Sequence, residues 1–195
     1  MTSSIGTAKS VLREQIRARF RSISPAERDV TSPQVCARVK ASSSWQTARA
    51  VLLFFPLPSE PDISPLLIDV IASGKLLALP RFNATTNAYE PVQIRELARE
   101  LVTGPFGVGE PTADCPLVTM NRLDLALVPG LGFDARGYRL GRGKGHYDRL
   151  LAGFPGRTVG VAFDFQVVAQ VPVEPHDIVL DAVVTSTRWL VAKQD

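Results

Sequence analysis

Apolar residues recur along this chain in two rhythms, one suited to helices and one to strands. Val11, Leu12, Ile16, Phe20 and Ile23 return at three- and four-residue steps, which predicts a first helix from about Ala8 to Ile23. Ser24-Pro25-Ala26-Glu27 is a start signal, with Ser24 as cap, Pro25 in the first turn and Glu27 closing a capping box. That second helix is expected to run to about Ser44, restarted or kinked at Ser32-Pro33. Ala50 to Phe55 is apolar at every position, as in a strand covered on both faces of a parallel sheet. Ser64-Pro65 opens a helix that buries Leu66, Leu67, Val70 and Ile71 and stops at Gly74.

Leu76 to Leu79, ended by Pro80, reads as the next strand, followed by a more polar one near Tyr89 to Ile94. A short helix around Glu96 to Leu101 and a loop from Thr103 to Pro111 come next. Leu123 to Val128, Thr158 to Phe163 and Ala182 to Thr185 are further strands, and a helix is expected from about His146 to Ala152. Alternating strands and helices predict the α/β class: a three-layer α/β/α sandwich over a mostly parallel, Rossmann-like sheet. No repeat or long polar linker divides residues 1–195, which read as a single domain.

Composition narrows this picture only slightly. Hydrophobic residues at 45% and charged residues at 21% give a chain that can bury a core without a disulfide or metal staple. Cys36 and Cys115 lie far apart and outside any CxxC or Cys/His cluster, which suits a reducing compartment and offers no zinc framework. No run approaches the roughly 18 apolar residues of a spanning helix, so no membrane partner is expected. Residues 1–22 carry Arg13, Arg17, Arg19 and Arg21 against the single acid Glu14. That composition fits an organellar transit peptide or a first helix with functional bases; the helix, and a cytoplasmic location, is the reading adopted. A net charge of +3 admits nucleic acid, a membrane surface or a small polyanion as partner. The chain lacks the aromatic–basic interleaving of an RNA-binding sheet, and no nucleic-acid partner is expected.

The basic residues gather in one segment, Leu127-Val-Pro-Gly-Leu-Gly-Phe-Asp-Ala-Arg-Gly-Tyr-Arg-Leu-Gly-Arg-Gly-Lys-Gly-His-Tyr-Asp-Arg149. It follows a hydrophobic strand, and open α/β sheets bind ligands at the carboxyl ends of their strands. Gly141, Gly143 and Gly145 let the backbone turn tightly and offer N–H groups to an anion. Arg139, Arg142 and Lys144 interleave with them, and the helix that follows would aim its positive end at the same place. The segment is not a Walker A loop, because Gly137 lies one residue too far from Gly143-Lys144 and Gly145 follows the lysine. It is not a dinucleotide motif either, since His146 stands where the third glycine belongs. Taken alone, such a loop could also be a solvated surface turn.

Pro129 to Asp134, Gly137 and Arg139 to Asp148 closely resemble the signature of the 5-formyltetrahydrofolate cyclo-ligases, also called 5,10-methenyltetrahydrofolate synthetases. Matching elements occur in family order: Lys9-x-x-Leu12-Arg13, Glu60-x-Asp62, Gly107-Val-Gly-Glu-Pro111, Val171-Pro-Val-Glu-Pro-His-Asp177 and Asp181-Ala-Val-Val-Thr185. The resemblance implies ATP-dependent conversion of 5-formyltetrahydrofolate to 5,10-methenyltetrahydrofolate with Mg²⁺. It implies ATP contacts from Lys9, Arg13, Arg139, Leu140, Gly141, Arg142, Gly143, Lys144, Gly145, His146 and Tyr147. Leu57 and Glu60 would meet the folate, together with Arg142, Gly143, Lys144, Gly145 and His146. Arg142 and Lys144 would act on the transferred charge, and Asp148 and Asp177 would hold Mg²⁺. A monomer is the expected state; the alternative is a non-catalytic reduced-folate or nucleotide-binding relative. The chain departs from the family at His146, where tyrosine is common, and at Pro61 and Ile63. An imidazole there is expected to vary in charge near neutral pH, and His176 is read as a loop or outer residue rather than a ligand.

Overall fold

Ser24 Oγ accepts the Glu27 N–H while the Glu27 carboxylate accepts the Ser24 N–H, so the capping box forms as the sequence predicts. It starts α2 (Pro25–Ala41) in the computed structural model, which describes residues 4–104 and 109–192. The preceding helix, α1 (Ser4–Phe20), begins and ends earlier than expected and leaves Ile23 outside. Pro33 does not restart α2. Its missing N–H costs the helix a hydrogen bond, but Val35, Cys36 and Val39 are buried on the next turns and hold the helix through it. The expected extension to Ser44 is interrupted because Ser42 caps a separate short helix, α3 (Ser43–Thr47).

Beyond α3 come β1 (Ala50–Leu52), α4 (Ser64–Ala72), β2 (Leu76–Asn83), β3 (Ala88–Ile94), α5 (Leu97–Glu100), β4 (Leu101–Thr103) and β5 (Gly109–Pro111). Residues 105–108 of the expected loop, and with them part of the Gly107–Pro111 match, lie outside the described residues. The chain continues with β6 (Leu125–Val128), β7 (Gly132–Phe133), β8 (Arg139–Leu140), α6 (His146–Leu150), β9 (Arg157–Val161), β10 (Ala182–Val184) and β11 (Trp189–Val191). Pro80 does not end β2. It sits opposite Pro91 of β3, and the Pro91 carbonyl accepts the Val118 N–H, so this residue's backbone faces away from β2 and the missing N–H groups break no shared rung.

The main sheet has the order β11-β10-β9-β6-β1-β2-β3. β2, β1, β6, β9 and β10 are parallel, and β3 and β11 run antiparallel at the two edges. The path leaves β1 toward β2 on one side and continues from β6 toward β9 on the other. Right-handed crossovers then put α4 and α6 on opposite faces. Accordingly α2, α3 and α4 cover the face of Val51, Leu125, Leu127 and Val159, while α6 meets Ala50, Leu52, Ala126 and Val128. That second face is also covered by the β7–β8 hairpin, whose Phe133 packs over Gly160 so closely that a Cβ there would lie 2.5 Å from its ring. α1 lies against the hairpin, with Ile16, Leu140 and Val171 forming a third cluster. No helix among the described residues is long and apolar enough to cross a membrane.

Candidate active site

β1 and β6 are neighbours whose onward connections diverge, so a crevice opens at their carboxyl ends. The loop after β1 supplies Leu57 and Glu60. The Leu57 N–H donates to Glu60 Oε2 at 3.0 Å and the Glu60 N–H donates back to the Leu57 carbonyl at 2.9 Å, so the loop folds around its own carboxylate. Arg28 of α2 donates to the Glu60 carbonyl at 2.9 Å. Glu60 is only 5% exposed, and its Oε1 accepts Arg142 Nη2 at 3.1 Å from the loop after β6.

That second loop is built on the β7–β8 hairpin. Buried Gln166 donates to the carbonyls of Gly130 and Leu131, and buried Asp134 accepts the N–H groups of Arg136, Tyr138 and Val171. Gly137 takes φ +88 beneath the Leu180 carbonyl, where no side chain fits. From β8 of the hairpin, Arg139 Nη2 donates to Asp148 Oδ2 at 2.9 Å, and its guanidinium lies 5.5 Å from the Tyr147 ring centroid. Burial pushes the Tyr147 phenol well above its ordinary value. Leu140 is buried with Ile16 and Val171, so its side chain belongs to the core and only its backbone can serve a ligand.

Between Gly141 and α6 the chain makes a turn with Gly143 at φ +105 and Gly145 at φ +63. The N–H groups of Arg142, Gly143, Lys144 and Gly145 donate to no described residue. Consecutive unpaired N–H groups around left-handed glycines form an anion nest. Arg142 and Lys144 are exposed beside it, and Lys144 makes no ion pair with a described residue. α6 has one turn and a half instead of the longer helix expected, so the nest and the side chains, more than a helix dipole, supply the positive field.

α1 delivers Lys9 and Arg13 from one face. Arg13 Nε donates to the Gly141 carbonyl at 2.9 Å. Lys9 is 6% exposed and donates to Glu174 Oε2 at 2.8 Å and to Asp177 Oδ2 at 2.5 Å. Burial lowers the Lys9 pKa, but the hydrogen bonds and charges of Asp177 and Glu174 outweigh it and raise it overall. Glu174, His176 and Asp177 have ligand atoms within 4.8 Å of one another; His176 is exposed and 3.9 Å from each carboxylate. Asp148 and Asp177 each give one oxygen to a cation, and Oδ1 of each accepts no hydrogen bond from the described residues. Hard carboxylate oxygens of this kind fit Mg²⁺ shared with phosphate oxygens.

His146 packs edge-on to Phe82 and Tyr89, with ring centroids 5.3 and 5.1 Å away, and its Nδ1 accepts Arg149 Nη2 at 2.9 Å. Burial, then the charges of Arg149 and Lys144, push its pKa down. The shift favours the neutral imidazole, where the sequence position alone suggested a charge that varies near neutral pH. Glu174, Phe82, Tyr89 and Arg149 were not singled out from the sequence. Arg149 was the most accessible of them, lying three residues after His146 on one helix face.

The structure is an α/β protein whose switch-point crevice sets free N–H groups beside a buried, arginine-paired carboxylate, an arrangement chemically suited to an anionic ligand. The chain belongs to the 5-formyltetrahydrofolate cyclo-ligase family, whose model matches residues 5–186. It is 30% identical over 191 residues to the 5-formyltetrahydrofolate cyclo-ligase of Mus musculus, covering 92% of this chain and 94% of the relative. It is 32% identical over 177 residues to that of Escherichia coli K12, covering 89% and 97%. The solved structure of Aquifex aeolicus 5,10-methenyltetrahydrofolate synthetase superposes with a TM-score of 0.84 at 34% identity, covering 96% of this chain and 94% of that one. A Mycoplasma pneumoniae synthetase at 21% identity, TM-score 0.74, shares the fold.

Proposed function

We propose that this protein converts 5-formyltetrahydrofolate to 5,10-methenyltetrahydrofolate at the expense of ATP. The observation that carries the reading is the run of free N–H groups from Arg142 to Gly145, with Lys144 unpaired beside them and Glu60 across the crevice. A formamide oxygen is a poor leaving group. In the proposed reaction it attacks the γ-phosphorus and ADP departs. N10 then attacks the formyl carbon and loses its proton, and the C–O bond breaks to release phosphate.

Phosphoryl transfer asks the protein mainly for positioning and positive charge. The nest and Lys144 meet the phosphate oxygens, and Arg142, whose guanidinium is half exposed, reaches them from its place on Glu60. Glu60 and the backbone near Leu57 offer hydrogen-bond partners to the pterin. Arg13 braces the turn at Gly141. Lys9 lies beside Asp177, so nucleotide entry would redistribute that ion pair. Asp148 and Asp177 would hold Mg²⁺, which neutralises phosphate charge when bound. The reading keeps the cytoplasmic location and monomeric state expected from the sequence.

The test is direct. Purified protein with 5-formyltetrahydrofolate and Mg-ATP should develop the ultraviolet absorbance of the methenyl product, and chelation of Mg²⁺ should stop it. Folded protein that binds the folate tightly without consuming ATP would overturn the proposal in favour of a non-catalytic folate binder.

A further inference from the structure

The turn that carries the nest has no internal backbone hydrogen bonds between Arg142 and Gly145, so its shape is set from outside. Arg13 holds the entry by donating to the Gly141 carbonyl. The exit is held by Arg149, a residue of α6 that lies outside both main cores. Its Nη1 donates to the Lys144 carbonyl at 3.1 Å. Its Nη2 donates to the Asn87 carbonyl at 3.2 Å and to His146 Nδ1 at 2.9 Å. Asn87 belongs to the turn between β2 and β3 and has φ 51. Gly145 leaves room for the guanidinium, since a Cβ there would lie 3.2 Å from Nη1.

Peptide planarity turns these contacts into a statement about the nest. The C=O and N–H of one peptide unit point in opposite directions. Fixing the Lys144 carbonyl on Arg149 therefore fixes the Gly145 N–H on the opposite side. Fixing the Gly141 carbonyl on Arg13 does the same for the Arg142 N–H. The two arginines hold the first and last N–H groups of the nest in place. Arg149 also ties the turn to the β2–β3 hairpin, and Nδ1 as acceptor leaves the proton of neutral His146 on Nε2.

We propose that Arg149 is a positioning residue for phosphate binding: one guanidinium fork fixes the Lys144–Gly145 peptide, the His146 ring and the β2–β3 turn as a unit. This rests on the reading of the turn as the ATP-phosphate site. Lysine cannot replace it, because a single ammonium lacks the planar fork that spans three acceptors on two segments.

The experiment compares wild type, Arg149→Ala and Arg149→Lys by calorimetric titration with Mg-AMP-PNP, by steady-state kinetics and by thermal melting. Arg149→Ala is expected to weaken nucleotide binding and lower kcat/KM for ATP by about 10- to 100-fold, with KM for 5-formyltetrahydrofolate changing less. Arg149→Lys should remain impaired, and added methylguanidinium should restore much of the loss in Arg149→Ala. Melting temperatures should stay close to wild type, because the side chain is exposed. Nucleotide affinity and kcat/KM within twofold of wild type in both variants would overturn the proposal. So would a loss that tracks a fall in melting temperature and is not rescued by methylguanidinium. Wild type that binds the nucleotide without turnover removes the proposed activity but leaves the role of Arg149 readable from affinity. Wild type that binds no nucleotide removes both.

Discussion

Arg142 Nη2 lies 3.1 Å from Glu60 Oε1, joining the loop after β6 to the loop after β1 across the point where the strand order reverses. One partner is nearly buried and the other half exposed, so the pair is anchored on the glutamate and free to open at the arginine. This contact keeps the basic turn close to the proposed folate side of the crevice.

Truncating that arginine should separate binding from chemistry. Arg142→Ala is expected to lower kcat/KM by about 100-fold, or ~3 kcal/mol of transition-state stabilisation. Glu60→Gln keeps an acceptor for the Leu57 N–H but loses its charge, and should raise KM for 5-formyltetrahydrofolate about tenfold with a smaller change in kcat. Steady-state kinetics on both variants check this, and equal effects on kcat and KM in the two would contradict the assignment.

Lys144 has no packing role to lose. Lys144→Ala should therefore melt within about 2 °C of wild type while kcat falls about 100-fold. Turnover near the wild-type rate would take its ammonium out of the mechanism.

Asp164, in the short turn after β9, gathers the corner between β10 and β11. It accepts the hydroxyls of Thr185, Ser186 and Thr187 at 2.7, 2.7 and 2.6 Å and Arg188 Nε at 3.3 Å. Burial alone would raise its pKa, but the hydrogen bonds from Thr187, Ser186, Thr185 and Arg188 outweigh it and bring it from 3.8 to about 2. A folded pKa below the unfolded one means that the stabilisation is fully present above the ordinary 3.8 and is lost as pH falls through about 2. Asp164→Asn should cost roughly 1–2 kcal/mol at neutral pH, a figure kept small because the carboxylate is partly solvated. Its melting temperature should also fall less steeply than that of wild type as the pH drops from about 4 to 2. Parallel acid-limb melting curves would rule the assignment out.

Gly137 combines a left-handed backbone with a Cβ position only 2.2 Å from the Leu180 carbonyl oxygen. Gly137→Ala should destabilise the protein by about 2 kcal/mol or more, and the hairpin that precedes the nest should loosen with it. Thermal melts measure the first effect. The second should appear as faster amide exchange at Leu131 and Asp134, whose N–H groups pair with the β8 side of the hairpin.

The capping box at Ser24, the all-apolar run of β1 and the proline-opened α4 were legible because each is a local pattern. The β7–β8 hairpin was not, since two residues in each strand are too few to show a period. Leu53 to Phe54 looked like strand but is loop, apolar because it is buried in the core beneath the site. β11 was also hidden: three residues after a Ser–Thr turn acquire strand structure only by pairing with β10.

Local order in the chain carried the α/β class, the basic glycine turn and the residues proposed to bind phosphate, because these depend on neighbours a few positions apart. Tertiary structure decided their partners. Lys9 meets Asp177 across nearly the whole chain, Arg142 meets Glu60 across the switch point, and Arg149 ties the nest to Asn87. No spacing encodes such pairs. They arise because a right-handed path through the sheet brings the loops after β1 and β6 to one edge, and packing of α1 on the β7–β8 hairpin carries two more cations there.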